Sequence, residues 1–338
     1  MTWKIEVQVA VNTAKTSIKT TVEWNTLPWN KIHRNVFKLQ KRIYQAAQKK
    51  DIKTVRKLQK MLVKSWGAKC LAVRKVTQDN QGKKTAGVDG VKSLTPVQRL
   101  KLVENLKVDS KAENIRRIWI PKPRTTEKRP LGIPTLRDRA TQALLKMALE
   151  PEWEALFEPN SYGFRPGRSC SDAREAIFSY LRYKPKYVLE TDINKCFDRI
   201  NHEALLNKLN TAPTFRRQIR AWLKAGVMEK GNLFQTKEGT PQGGVISPLL
   251  ANIALHGLEN LISNEFPELA KNQRVTWFHP KGTHFNPPVL IRYADDLIVL
   301  HEELRIVQKC QELIAEWLKD MNLEVKPSKT RISHTHNE

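Results

Sequence analysis

Two stretches of this 338-residue chain carry an apolar run into carboxylates. In the first, Val188-Leu189-Glu190-Thr191-Asp192-Ile193 continues into Asn194-Lys195-Cys196-Phe197-Asp198. In the second, Val289 to Tyr293 leads through Ala294 into Asp295-Asp296, and Leu297-Ile298-Val299-Leu300 follows. Adjacent aspartates alone mark a turn more often than a site. Here β-forming runs bracket the pair, so a hairpin would carry the acids at its turn, against the edge of a core. Clustered carboxylates repel one another unless a cation lies among them, and hard divalent ions such as Mg²⁺ take oxygen ligands of this kind. Two such ions, roughly 3.5–4 Å apart, can activate an attacking oxygen and stabilise a leaving one in phosphoryl transfer. Three aspartates on two neighbouring strands could supply that clamp.

Between the two stretches lies Gly239-Thr240-Pro241-Gln242-Gly243-Gly244-Val245-Ile246-Ser247-Pro248-Leu249-Leu250. Its glycines permit close backbone approach to a ligand. Its second half reads as a helix through Leu255, with Ser247 as cap and Pro248 at the first position. Taken alone, a tight loop ahead of a core helix accounts for it equally well. Upstream, residues 118–134 (IWIPKPRTTEKRPLGIP) read as a hairpin with a charged tip, and residues 137–157 and 171–183 read as helices. From Lys186 onward short apolar strands alternate with helices, the pattern of a mixed α+β domain.

The chain opens differently. Residues 1–23 are polar and without periodicity, and are expected to form a flexible tail. Val36, Leu39, Ile43 and Ala47 then fall on one helical face, and Val55, Leu58, Leu62 and Trp66 on another, with Asp51 placed to cap the second helix. Between Lys31 and Lys84 stand seventeen basic residues against two acidic ones, too lopsided for an ordinary solvated face. Over the whole chain 59 Lys and Arg against 34 Asp and Glu leave a net charge of +25, and a polyanion would relieve the self-repulsion. The glycine-rich stretch over residues 82–90 lacks the Lys-Ser/Thr ending of a phosphate-binding P-loop and reads as a turn. No run is apolar enough to span a bilayer, and the start lacks the pattern of a signal peptide. The four cysteines form no paired spacing, which suits free thiols in a reducing, cytoplasmic setting.

Six blocks, taken in order, resemble the reverse transcriptases encoded by group II introns. They are residues 129–142 (RPLGIPTLRDRATQ), 161–169 (SYGFRPGRS), Asp192 to Phe197, TPQGG…SPLL, Tyr293-Ala294-Asp295-Asp296 and residues 323–333 (LEVKPSKTRIS). The basic stretch from Trp24 resembles that branch's amino-terminal extension. The resemblance implies a right-hand polymerase with fingers and an antiparallel palm sheet over residues 106–338, preceded by a basic helical domain over residues 24–105. It implies two Mg²⁺ ions held by Asp192, Asp295 and Asp296, with the Ile193 carbonyl lending a ligand. Phe197 matches the aromatic gate that would clash with a ribonucleotide 2′-hydroxyl, and Gln242 would help hold the incoming nucleotide. Lys122 and Arg129 would meet its triphosphate from the fingers, although their separation is one residue longer here than the family's pattern. Lys329 would lie near the primer strand.

The partners implied are an RNA template, group II intron RNA above all, a DNA primer or target, and deoxynucleoside triphosphates. The chain stops at Glu338, ahead of a further palm block and the helical thumb that the resemblance leads one to expect. A truncated remnant, one piece of a split enzyme working with a thumb-bearing chain or a second copy, and an incomplete reading frame all accommodate that. Two other readings stand beside the polymerase: an RNA-binding maturase without polymerase activity, and another reverse transcriptase branch. The acidic triad counts against the first, and the long basic extension against the second.

Overall fold

The computed structural model describes residues 23–121, 126–240, 242–266 and 287–336. The tail expected over residues 1–23 lies outside them but for Glu23. Trp24 is buried, and its indole Nε1 donates to Gln78 Oε1 at 2.8 Å. Three helices follow, α1 (Trp29–Gln48), α2 (Ile52–Lys64) and α3 (Trp66–Arg74). The helical periodicity holds, with Ile32, Val36, Ile43 and Ala47 buried on α1 and Val55, Leu58 and Leu62 buried on α2. Asp51 caps α2 as the spacing predicts, its Oδ1 accepting the Thr54 amide at 3.0 Å. Trp66 departs from expectation. Ser65 turns extended and caps a new helix, so Trp66 opens α3 away from the stripe on α2 and is 46% exposed.

Helix α4 (Pro96–Asn105) starts with a capping box between Thr95 and Gln98. The hairpin expected around residues 118–134 is β1 (Ile115–Pro121) and β2 (Lys128–Ile133), with Lys122 and the rest of the tip outside the described residues. Helix α5 (Leu136–Glu154) then runs through the middle of the molecule, buried along most of its length. Its Pro151 has no N–H to give the Met147 carbonyl one turn earlier. Gln40 of α1 donates there instead, Nε2 to Met147 O at 3.1 Å.

The rest alternates strands and helices in the following order. Helix α6 (Cys170–Leu181) and β3 (Tyr187–Asp192) come first. Helices α7 (Cys196–Arg199), α8 (His202–Leu209) and α9 (Pro213–Leu223) lead to the short pair β4 (Val227–Glu229) and β5 (Asn232–Phe234). Next come α10 (Ser247–Leu255), α11 (Leu258–Glu265), β6 (Val289–Tyr293), β7 (Asp296–His301), α12 (Leu304–Lys319) and β8 (Arg331–His334). Ser247 is not the cap of α10. Ile246 holds that position, Ser247 is the buried first helical residue, and Pro248 is the second, where its missing N–H still costs no helical bond.

Among the described residues two four-stranded sheets result. One has the order β2-β1-β4-β5, antiparallel except for β1 beside β4. The other, β6-β7-β3-β8, is antiparallel throughout, as expected for the palm. A continuous core joins the basic helices to this sheet, from Ile43 and Leu62 through Leu144 to Leu189, Ile253 and Val299. Arg56 and Gln59 of α2 reinforce the joint by donating to the buried Glu152 of α5 at 2.7 and 2.6 Å. Among the described residues no helix is long and apolar enough to cross a membrane.

Candidate active site

Alternation along β3 buries Leu189 and Thr191 and leaves Asp192 at the strand's end, half-buried. Its partner strand is β7, and the register sets Asp192 directly opposite Asp296. Directly paired residues stand with their Cβ atoms within about 5.5 Å. On the other side β6 and β7 form the expected hairpin, Tyr293 paired with Asp296 and only Ala294 and Asp295 in its loop. Ala294 takes φ +57°, the left-handed region that a side chain normally avoids. The backbone around it is pinned, since Ile193 N–H donates to Asp295 O at 3.2 Å and Ile193 itself is buried. Burial and the neighbouring carboxylates push the Asp295 and Asp296 carboxyls above the usual aspartate range.

Lys329, brought in by the turn before β8, forms an ion pair with the Asp192 carboxylate. With Asp192, Asp296 and Thr191 it lines an open groove of about 590 Å³. Among the described residues no three carboxylate, imidazole or thiol side chains converge tightly enough to close round an ion. The donor set nevertheless fits a hard divalent cation. It comprises oxygen ligands only, two of them penalised as anions, with an ammonium already placed at the third.

Phe197 and Gln242 line a second cavity, of about 170 Å³, between the β2-β1-β4-β5 sheet, α7 and the loop that carries Gln242. Phe197 sits on α7, half-buried, edge-on to Phe164 at 6.1 Å between ring centroids. The loop carrying Gln242 is tied down on three sides. Thr240 N–H donates to Phe197 O at 2.5 Å, Gly132 N–H of β2 to Gln242 O at 2.6 Å, and Val245 N–H to Gln142 Oε1 of α5 at 2.8 Å. Gly243, at φ +112°, lies so near β2 that a Cβ there would stand 2.6 Å from Gly132 O, so only glycine fits. Arg129 is exposed on β2, next to Pro130, which lines this cavity. The structure therefore brings Asp192, Asp296 and Lys329 together in one hollow, and Phe197 and Gln242 in another.

Residues 120–338 match the family model of reverse transcriptase (RNA-dependent DNA polymerase), and residues 24–106 match the N-terminal domain of reverse transcriptase. The chain belongs to the reverse transcriptase family. Protein YkfC of Escherichia coli K12 is 31% identical over 293 residues, 78% of this chain and 76% of that one. The group II intron-encoded protein LtrA of Lactococcus lactis is 36% identical over 189 residues, 54% of this chain but only 31% of LtrA. Maturase-like protein 1 of Euglena gracilis is 33% identical over 69% of this chain and 51% of its own. An apo telomerase structure from Candida tropicalis aligns with 75% of this chain and 59% of that one at 15% identity, with a TM-score of 0.48, a loose likeness. The family is generally dependent on a divalent metal, in keeping with the carboxylate donors of this reverse transcriptase.

Sequence reasoning passed over the residues that hold the hairpin of this reverse transcriptase in place. Arg292 is 2% exposed and reaches three segments, donating to Asn252 Oδ1 at 2.9 Å, Ala294 O at 3.0 Å and Ser161 Oγ at 2.6 Å. Burial pulls its guanidinium down to about 10, against the opposing influence of Glu158, so it stays charged at neutral pH. Gly163 packs so tightly under the hairpin that a Cβ would stand 2.3 Å from the Ala294 nitrogen. A charged residue directly after the apolar run Val289-Leu290-Ile291, within the same strand, was the available signal for Arg292. Asp198, whose carboxylate accepts from Gln242, carried no comparable mark.

Proposed function

We propose that this reverse transcriptase acts for a group II intron, extending a DNA primer on an RNA template by two-metal nucleotidyl transfer. The register of Asp192 against Asp296, with Asp295 in the adjoining turn, carries the proposal. The primer 3′-oxygen would bond to the α-phosphorus of a deoxynucleoside triphosphate as the bond to the pyrophosphate leaving group breaks. Asp192, Asp295 and Asp296, with the Ile193 carbonyl, would hold two Mg²⁺ ions, which when bound neutralise charge on the attacking and leaving oxygens. Arg129 and Lys122 meet the triphosphate, the guanidinium as a two-pronged donor and the ammonium as a point charge. Phe197 closes the space a 2′-hydroxyl would need, and Gln242 in the same cavity holds the sugar. Lys329 exchanges Asp192 for a primer phosphate. On this reading residues 106–338 perform the chemistry, and residues 24–105 grip the RNA.

A second reading, binding of intron RNA to promote splicing, draws on the exposed side of the basic helices. There Lys31, Arg34, Lys38, Lys41 and Arg42 on α1 are interspersed with the exposed rings of Phe37 and Tyr44. Stacking rings among basic side chains suit single-stranded RNA. Primer extension on an RNA template, with and without Mg²⁺, separates the two. The polymerase reading expects Mg²⁺-dependent products and a loss of several orders of magnitude on Asp295→Ala. Equal extension by parent and variant would remove Asp295 from the metal site, and RNA binding without any extension would favour the splicing role.

A further inference from the structure

Phe164 is a bulky residue in the left-handed region, at φ +59°, where glycine is the usual occupant. Both of its neighbours are fixed. Gly163 is wedged beneath the β6–β7 hairpin, and its carbonyl accepts from Asn252 Nδ2 at 2.8 Å. Arg165 is buried, its guanidinium clamped on the Glu154 carboxylate and donating to Glu158 O and Ser161 O at 2.8 and 2.7 Å. Between two such anchors the backbone keeps its turn whatever residue stands at 164, and a glycine would make that turn without strain.

Burial does little to offset the strain, since Phe164 is 49% exposed. Its side chain instead meets the Phe197 ring edge-on, with centroids 6.1 Å apart and planes at 81°. Phe197 needs such a neighbour. Its backbone is fixed, the carbonyl accepting from Thr240 N–H at 2.5 Å and the next amide, Asp198 N–H, donating to Lys195 O at 2.8 Å. Its ring, however, is only half-buried and lines a cavity, so rotation about χ1 has open space to enter. Among the described residues Phe164 is the aromatic ring that stands against that rotation.

We infer that Phe164 is a positioning residue that holds the Phe197 ring in place, so that exclusion of ribonucleotides depends on two rings and not on one. The inference rests on the polymerase reading above, with Phe197 as its gate. The loop wedged under Ala294 thus also supplies the wall behind Phe197, and the catalytic hairpin and the gate share one support. Because Gly163 and Arg165 set the turn, removing the ring at 164 leaves the backbone of the site where it is and frees the gate to swing.

Single-nucleotide incorporation by the full chain tests this with thymidine triphosphate and ribothymidine triphosphate, which differ by the 2′-hydroxyl alone. The ratio of their kcat/KM values should fall by about threefold or more in Phe164→Gly and Phe164→Ala, the weight of one aromatic pair. Phe164→Tyr keeps the ring and should hold the parent's ratio. Placed in a Phe197→Ala background, Phe164→Gly should lower the ratio no further. Phe164→Gly should also melt higher than Phe164→Ala, by roughly 2 °C or more, because only glycine relieves the strain, so its lost discrimination is not a loss of fold. A merely structural Phe164 would slow both nucleotides together and leave the ratio alone. An unchanged ratio in Phe164→Gly, an equal fall in Phe164→Tyr, or a further fall in the Phe197→Ala background overturns the inference while the polymerase reading stands. A parent chain that extends no primer with thymidine triphosphate overturns that reading, and the inference with it.

Discussion

Lys329 and Asp192, 137 residues apart in the chain, form an ion pair beside Asp296 in the groove of the palm sheet. Hydrogen bonding to Asp192 holds the Lys329 ammonium above the usual lysine range, so the pair persists through neutral and mildly alkaline pH. An ammonium there competes with any cation that Asp192 would bind. Lys329→Met should therefore bind Mg²⁺ several-fold more tightly in the absence of nucleic acid, as measured by calorimetric titration. Unaltered affinity would place the ion away from Asp192.

The same carboxylates should cost the protein stability. Asp295 and Asp296 titrate above their unfolded range, so their contribution is fully present below the unfolded aspartate range and is lost as pH rises through the folded values. At pH 7, in chelator, Asp295→Asn should melt higher than the parent, by roughly 2–4 °C for each kcal/mol of repulsion relieved. The gain should shrink as the pH is lowered towards 4. A variant that melts lower than the parent at pH 7 would show that the Asp295 charge is compensated within the fold.

Phe197→Ala removes a steric wall and leaves the metal ligands in place. Ribonucleotide incorporation should rise by at least about tenfold relative to deoxynucleotides, the scale set by a change of shape in an apolar pocket. Some thermal stability should go with it, because the ring packs edge-on against Phe164. Equal sugar discrimination in parent and variant would exclude Phe197 from the site.

Because Ile43 and Leu62 belong to the shared core, deleting the basic helices would unfold more than an RNA-binding surface. Neutralising exposed residues is the cleaner test. Changing Lys38, Lys41, Lys57 and Lys60 to glutamine should flatten a plot of log RNA affinity against log salt, by about 0.7 for each single-strand phosphate no longer neutralised. If the slope does not move, these lysines are only solvated.

The hydrogen bond from Gln40 to Met147 gives a packing prediction independent of catalysis. Gln40→Ala strands a half-buried carbonyl and should destabilise the fold by about 1 kcal/mol in urea denaturation. In a Pro151→Ala background the cost should diminish, since residue 151 then has an N–H for the Met147 carbonyl. Equal losses in both backgrounds would mean that residue 151 does not take over the Met147 carbonyl when Gln40 is removed.

By itself the sequence determined whatever depends on neighbours a few residues apart. The strand that carries Asp192 at its end, the apolar flanks of Asp295-Asp296 and the 3.6-residue stripe of α1 each arise from local backbone geometry, and all appear in the structure. The hairpin around residues 118–134 and the Asp51 cap were legible for the same reason. Tertiary structure alone decided which distant residues meet. It faced Lys329 with Asp192, anchored Gln242 on Asp198, spread Arg292 across Asn252, Ser161 and Ala294, and merged the basic helices with the palm in one core. Trp66, apolar and in phase with α2, was turned outwards because the chain becomes extended at Ser65, which caps the next helix. Such pairings have no period to betray them. They follow from burial, which obliges each polar group taken out of water to find a partner, however far along the chain that partner lies.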